Sequence, residues 1–449
     1  MQTIVEPKQH IDKLWGKQRI KEDASYRLMK YVLRVDYEGK VLLHNVVTGQ
    51  LVVLDPDEAE ALNKTPIANS LVIEQMVTKH YLVPEEYDEH QQVVNLRTIV
   101  RTLYEAESPH DITTYTILTT TACNARCYYC FEHGAKIVTM SEETANNVIQ
   151  YIVKHCGKQK TVNIAWFGGE PTLTPDRIDQ ICTGLRNSGI SYSSRITTNG
   201  YLLDESLISR AKSLWNLKSV SISMDGVGER YNSIKSYINP KEDPFRKVLK
   251  NIGCLLGQEI NVNVRLNFDQ NNYMDFEPLI HEILSCCGND PLLNISAHQI
   301  NSDLENGSNH RSHGSQAWFS EKLVELNDYA RTIGVYRKRN RLPSLISIGC
   351  KACMNSAVTI TPEGNLVRCP EQFGEDQITG TVKDGVTNEQ LIHEWKQLAD
   401  IKICHDCPMF PRCLKVLKCS VGEKCCYRQE FVGQCMKAVI QKFNALQDF

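Results

Sequence analysis

Three thiols stand at Cys123, Cys127 and Cys130, spaced Cys-x3-Cys-x2-Cys. The preceding run 115–120 (YTILTT) is β-branched and apolar and reads as a short strand. The thiols therefore sit on the loop leaving that strand, close enough to converge on one centre. A tetrahedral site takes four ligands, so three thiolates leave one position for another group, and an open position is a feature of catalytic rather than structural sites. Soft thiolates select zinc or iron–sulfur clusters. Two plainer readings stand beside this: three of four zinc ligands, or a redox dithiol at Cys127 and Cys130.

The chain has 18 Cys in 449 residues, and ten of them fall between Cys350 and Cys435. The order is Cys350, Cys353, Cys369, then Cys404-x2-Cys407-x5-Cys413-x5-Cys419, then Cys425, Cys426 and Cys435. Clusters of this kind read as metal or cluster binding rather than a disulfide framework, and paired Cys-x2-Cys motifs also occur in zinc ribbons. Cys156, Cys182, Cys254, Cys286 and Cys287 lie in apolar helical patterns and read as small buried hydrophobes.

Positioning these groups takes more than one core, since a chain of this length divides into domains. Residues 1–108 form the first unit. Residues 1–25 are polar and expected to be loose. Strands are expected at 29–36, 41–47 and 51–54, followed by helices from Asp55-Pro56-Asp57-Glu58, over 69–79 and over 85–105. Three strands and three helices make a winged-helix-like pattern. Residues 109–345 alternate strands (115–120, 161–167, 194–198, 218–224, 260–267, 292–298) with helices (141–156, 174–188, 204–214, 243–256, 274–287). That alternation predicts an α/β fold, a partial (β/α)6 TIM-type barrel. Residues 346–449 form the Cys-rich end, with a strand, a turn at Gly364 and a strand over 358–368.

Polar or Gly-rich motifs follow successive strands: the Cys loop, Gly168-Gly169-Glu170-Pro171, Asn199-Gly200, Asp225-Gly226 and Asn267. Barrel sites are built at the strands' C-terminal ends, so all five are expected around one mouth.

On these residues the chain resembles the radical S-adenosylmethionine (SAM) enzymes with a SPASM extension, and among them the maturases of ribosomally made peptides. The resemblance rests on Cys123, Cys127 and Cys130 with an aromatic, Tyr129, before the last Cys. It implies a 4Fe–4S cluster on the three thiols, whose fourth iron binds SAM. It places Gly168, Gly169 and Glu170 at the SAM amino group, and Thr198 and Asn199 near the ribose or methionine. Ser223, Asp225 and Lys235 would lie at the ribose and carboxylate, with Arg265 and Asn267 as further contacts. In the tail it implies two auxiliary 4Fe–4S clusters, three clusters in all. Cys350, Cys353, Cys369 and Cys419 would hold one. Cys404, Cys407 and Cys413 would hold the other, completed by Cys425, Cys426 or Cys435. The final Cys-x5-Cys departs from the usual Cys-x3-Cys. The first unit resembles a peptide-recognition domain, in which a leader peptide adds as an edge strand.

The implied activity is hydrogen abstraction from a precursor peptide by a 5′-deoxyadenosyl radical, with a flavodoxin or ferredoxin-type reductant as partner. The expected product is a thioether crosslink from Cys; carbon–carbon crosslinking, epimerisation and formylglycine-type Cys or Ser oxidation are the alternatives. The sequence singles out no catalytic base. A zinc-binding interaction module and a simple electron-transfer protein are the competing classes. Net charge is −3 and no basic stripe appears, which argues against nucleic acid. No apolar run spans a bilayer and the N-terminus lacks a signal-peptide core, so a cytoplasmic enzyme is expected. The loop 301–316, with Leu304 as its one apolar residue, is expected to be mobile and to cover a bound peptide.

Overall fold

The computed structural model describes all residues except 22–23, 65–66, 68–72, 108–110, 133, 301–315, 338–341, 420–427 and 447–449. The loop near His310 and the thiols Cys425 and Cys426 lie outside the described residues. In the first unit, β1 (Gln2–Val5), β3 (Val32–Tyr37), β4 (Lys40–Asn45) and β5 (Leu51–Val53) form an antiparallel sheet in the order β1-β5-β4-β3. Strands β2 (Tyr26–Leu28) and β6 (Leu82–Pro84) form a second, two-stranded sheet. The helices are α1 (Gln9–Trp15), α2 (Pro56–Leu62), α3 (Glu74–Thr78) and α4 (Glu89–Glu107). Helix α2 starts where the sequence places it. Asp55 caps it in a reciprocal capping box with Glu58, and Pro56 sits at its first turn.

The start of the chain corrects the expectation of a loose segment. Residues 2–5 pair with β5, Ile11 is buried in the core, and the Met1 ammonium pairs with Glu58 at 2.6 Å. That pairing is made with residues some fifty positions away, which no local pattern reveals. The strand expected over 29–36 starts only at Val32, because a turn with Val32 N–H donating to Met29 O separates β2 from β3.

This unit rests on the Cys-rich end. Arg97 of α4, buried, donates to Ile346 O (3.1 Å), Phe410 O (2.8 Å), Pro411 O (3.2 Å) and Cys413 O (3.2 Å). His44 is fully buried between Gln50 O (3.1 Å) and Pro343 O (2.8 Å). Burial outweighs those two carbonyls and lowers its pKa from 6.5 to about 4. The unfolded chain then binds a proton that the folded chain refuses, so stability is full above pH 6.5 and falls as pH drops towards 4. The urea midpoint should decline through that window, and His44→Gln should flatten the decline. An unchanged slope in the variant would remove His44 from this role.

In the middle unit, β7 (Thr114–Thr120), β8 (Thr161–Gly168), β9 (Ser191–Thr198), β10 (Leu217–Ser223), β11 (Asn261–Phe268) and β12 (Leu293–Gln299) pair in parallel, in chain order. Between and after them run α5 (Glu142–His155), α6 (Pro175–Asn187), α7 (Glu205–Ser213), α8 (Gly228–Lys235), α9 (Pro244–Gly257), α10 (Phe276–Cys287) and α11 (Gln316–Thr332). Side-chain caps set several starts: Ser141 accepts from Thr144 N, Asp204 from Leu207 N and Asp243 from Arg246 N. Helices α8 and α11 have no counterpart in the sequence reading. One face of the strands is apolar and meets the helices: Val220, Ile222, Val262, Val264, Leu266 and Ile295 are all buried there. Cys156 and Cys182 are buried as expected, whereas Cys286 is exposed, which corrects its reading as a core residue.

The tail extends this sheet. Strand β13 (Ala357–Ile360) pairs in parallel with β7, and β14 (Asn365–Val367), β15 (Gly380–Thr381) and β16 (Gly385–Val386) add antiparallel, giving ten strands. Helix α12 (Glu389–Trp395) packs over the Cys350–Cys353 turn, and α13 (Arg428–Asn444) lays Val439 and Phe443 against β3 and its neighbours.

Candidate functional site

The strand ends meet as the alternation predicts. A cavity of about 290 Å³ is lined by Cys123, Cys127, Tyr129, Cys130, Gly168, Gly169, Thr198, Asn199, Ser223, Lys235 and Asn267, among others. The three thiols are close enough to influence one another electrostatically. Burial pushes the Cys123 thiol up to about 12 and that of Cys130 to about 11, and raises Cys127. Thiolates in such a place call for a cation, so the donor set fits a soft metal centre.

Glu170 and Asp225 do not line the cavity; they build it. The Glu170 carboxylate is fully buried. Its Oε1 accepts from Thr172 N (3.0 Å), Thr172 Oγ1 (2.6 Å) and Thr198 Oγ1 (2.7 Å), and its Oε2 accepts from Asn199 N (2.7 Å). The second strand end is thereby tied to the third. Asp225 Oδ1 accepts from Asn267 N at 3.0 Å, and Oδ2 meets Tyr129 OH and Lys235 Nζ, the latter at 2.6 Å. Lys235 Nζ also reaches Ser223 Oγ (2.6 Å) and Tyr129 OH (3.1 Å), and Asn267 Nδ2 donates to Tyr129 OH (3.2 Å). Burial alone would lower the Lys235 ammonium, but Asp225, Tyr129 and Cys127 outweigh it and hold it well above its ordinary range. Tyr129, Ser223, Asp225, Lys235 and Asn267 thus form one network, centred on the buried Asp225–Lys235 pair.

The loop is also held by backbone. Arg126 N–H donates to Lys235 O (2.8 Å), Ile238 N–H to Asn124 O (2.9 Å), and Asn199 Nδ2 to Asn124 Oδ1 (2.7 Å). Gly169 N–H donates to Thr120 O (3.0 Å) and Glu170 N–H to Ala122 O (2.8 Å). A Cβ on Gly169 would press into the carbonyls of Ala122 and Thr121, the latter at 2.6 Å. The glycine permits this close approach of two chains. Gly169→Ala should cost about 1–3 kcal/mol and lower the iron bound on anaerobic reconstitution, while Gly257→Ala, with open space around it, should do neither. Equal iron content in all three proteins would contradict this.

Four tail thiols come together. Cys350 and Cys419 both raise the thiols of Cys353, to about 11, and Cys369, to about 12, with burial the larger cause. Arg368 pins the Cys350–Cys353 turn to β13 by donating to Ala352 O (2.8 Å) and Ala357 O (2.9 Å). Cys404, Cys407 and Cys413 follow one another through tight turns, and Cys435 of α13 is buried in a cluster that includes Cys407 and Met409. Nearby, ligand atoms of His90, Asp400 and His405 lie within 4.8 Å of one another. The two imidazoles stack at 3.6 Å and 23°, so their in-plane lone pairs run side by side rather than converging, and His405 already bonds Asp400.

Sequence reasoning missed Tyr128, whose OH donates to Asp269 Oδ2 (2.7 Å), and Asn272, whose Nδ2 donates to Asp225 O (2.8 Å). It also missed Arg195, which projects from β9 into the barrel. The signal for Arg195 is the alternation in SRITT, SVSIS and NVNVRLN. A parallel strand buried on both faces reads as continuously apolar, so polar alternate positions mark a wet inner face.

A family profile described as "Radical SAM superfamily" matches residues 117–283. This superfamily uses SAM with a 4Fe–4S cluster, and Cys123, Cys127 and Cys130 are the thiols of the matched stretch that share the cavity. A GTP 3′,8-cyclase of Clostridium perfringens is 24% identical over 298 residues, covering 61% of this chain and 84% of the relative. The radical SAM cyclopropyl synthase TigE of Paramaledivibacter caminithermalis is 22% identical over 288 residues, 58% of this chain and 55% of the relative. Among solved structures, native anSMEcpe with bound AdoMet and Cp18Cys peptide superposes with a TM-score of 0.55 at 18% identity, over 75% of this chain and 98% of that one. Streptococcus suis SuiB bound to precursor peptide SuiA gives 0.53 at 14% identity, over 88% and 94%. The chain has the radical SAM α/β fold and is an enzyme.

Proposed function

We propose that this enzyme modifies a ribosomally made precursor peptide, joining a Cys sulfur to carbon as a thioether. One observation carries the reading most: the Cys loop and four further strand ends enclose a single cavity, and a second cavity sharing part of its wall is lined by Cys350 and Cys369 of the tail. Two structures of similar fold hold peptides. When bound, SAM and the cluster on Cys123, Cys127 and Cys130 supply a 5′-deoxyadenosyl radical that takes a hydrogen atom from the substrate. The chain's own work is to hold the loop, orient SAM against Thr198, Asn199 and Ser223, and keep water from the radical. The four-thiol group of Cys350, Cys353, Cys369 and Cys419 suits an auxiliary cluster, which would accept the one electron left when the S–C bond forms and the thiol proton is released, and Cys404, Cys407 and Cys413 suit a second, with Cys435 as a candidate fourth ligand.

Delivery of the peptide fits the first unit. Strand β3 ends its sheet and pairs with β4 alone among the described residues, so its outer edge can take a leader as an added strand. Co-expression with small open reading frames of the genomic neighbourhood tests the reading. A peptide lighter by two hydrogens, with the Cys thiol no longer alkylatable, is expected. An unchanged mass with deuterium gained in heavy water would replace crosslinking by epimerisation.

A further inference from the structure

The inner face of the barrel is unlike a packed one. Inward positions of a filled barrel carry bulky branched side chains. Here the strands present Arg195, Ser219, Ser221, Asn263, Arg265 and Asn294, which line a second cavity of about 430 Å³. The strand register stacks them in layers: Ser221 lies beside Thr197 and Asn263, and Arg265 beside Ser223 and Ser296. Phe167, Thr197, Ser221 and Arg265 line this cavity and the SAM-side cavity alike, so the two form one lumen. Its far wall carries Cys350, Lys351 and Cys369.

This lumen has an unbalanced charge. Arg195 and Lys351 line the same cavity, and both are open to water. Arg265 has a buried Nε without a partner among the described residues, and the one hydrogen bond its guanidinium makes there is a long one to Asn267, at 3.5 Å. Arg368 also lines the cavity, but its guanidinium is engaged by backbone carbonyls. No Asp or Glu lines the lower cavity among the described residues. Glu132 and Glu371 line the upper one, and neither forms an ion pair with the three cations. Arginine and lysine facing a lower cavity that no acid lines among the described residues are a carboxylate-binding arrangement.

We infer that the lumen binds a carboxylate of the substrate peptide, held by Arg195, Arg265 and Lys351 between the SAM site and the Cys350–Cys369 wall. The inference rests on the peptide reading above. The carboxylate is an acidic side chain or the peptide's C-terminus. A nucleoside triphosphate fits less well, since it brings more negative charge than three cations balance.

The test is calorimetric titration of the anaerobically reconstituted, SAM-loaded full chain with four probes: acetyl-Gly-Glu-Gly-amide, acetyl-Gly-Gln-Gly-amide, acetyl-Gly-Gln-Gly with a free C-terminus, and GTP. One or both carboxylate peptides should bind about tenfold more tightly than the neutral amide, as charge-assisted hydrogen bonds allow. Which of them does so identifies the side chain or the terminus as the source. Arg195→Gln should abolish the preference without weakening the neutral peptide, and Lys351→Gln, at a different element, should reduce it. Equal binding of charged and neutral peptides overturns the inference alone. A preference that survives both substitutions also overturns it, and leaves these cations to offset charge at the neighbouring thiols. Tight binding of GTP with no peptide binding overturns the peptide reading as well.

Discussion

Cys127→Ala is expected to abolish SAM cleavage. With the wild-type chain, anaerobic reconstitution and a strong reductant should give 5′-deoxyadenosine; with the variant, none above the protein-free control. Cys127 is the middle thiol of the loop, and burial raises it while Lys235 lowers it and Asp225 raises it further. Removing its sulfur would leave two thiols for the centre proposed on this loop, one fewer than the three it is proposed to use. The loop itself should persist, because Arg126 N–H, Asn124 and Gly169 N–H hold it through other atoms. Circular dichroism and the urea midpoint should therefore change little. Continued 5′-deoxyadenosine formation by the variant would refute the assignment of this loop.

Lys235→Met is expected to destabilise the barrel by about 3–5 kcal/mol, since it leaves Asp225 buried without its cation. Lys235 and Asp225 are each essentially inaccessible to water, so no solvent takes over the lost partner. Tyr129 OH and Asn267 N–H still donate to the carboxylate, which limits the loss without cancelling a charge. Asp225→Asn in the same chain should recover part of it, because the double variant buries no unpaired ion. A double-mutant cycle read by urea denaturation checks this, with a coupling energy well above the scatter of independent sites as the expected result. Additive losses would mean that the two residues do not act as a pair. The same pair explains why Lys235, expected from resemblance to contact SAM, is first of all a support: three of its neighbours, Asp225, Ser223 and Tyr129, already occupy the ammonium.

The barrel was legible because its signals are local. β-Branched runs such as TVNIAWF, separated by capped amphipathic helices, give strand and helix with little ambiguity, and each strand's polar terminus falls at the same end. Cys123 to Cys130 was legible for a similar reason, since ligand spacing on one loop is local. Pairings between distant segments were not. Nothing near Gln2–Val5 announces that it completes a sheet with β5, and nothing near Ala357–Ile360 announces a parallel partner in β7. Glu170 shows the third limit. Its place after two glycines was plain, but sequence cannot say whether a carboxylate faces a ligand or, as here, four donors of its own chain. Arg195 lay within reach, since the alternation in its strand carries the information, but it emerged only when the inner face was seen to be a cavity.

The central claim is that a radical made at the Cys123–Cys130 loop abstracts hydrogen from a peptide lying in the barrel. The most direct measurement uses the peptide identified by co-expression, made with deuterium at its modified residue. After turnover with unlabelled SAM, 5′-deoxyadenosine should carry one deuterium, in proportion to the crosslinked product. 5′-Deoxyadenosine free of deuterium, alongside modified peptide, would contradict the claim.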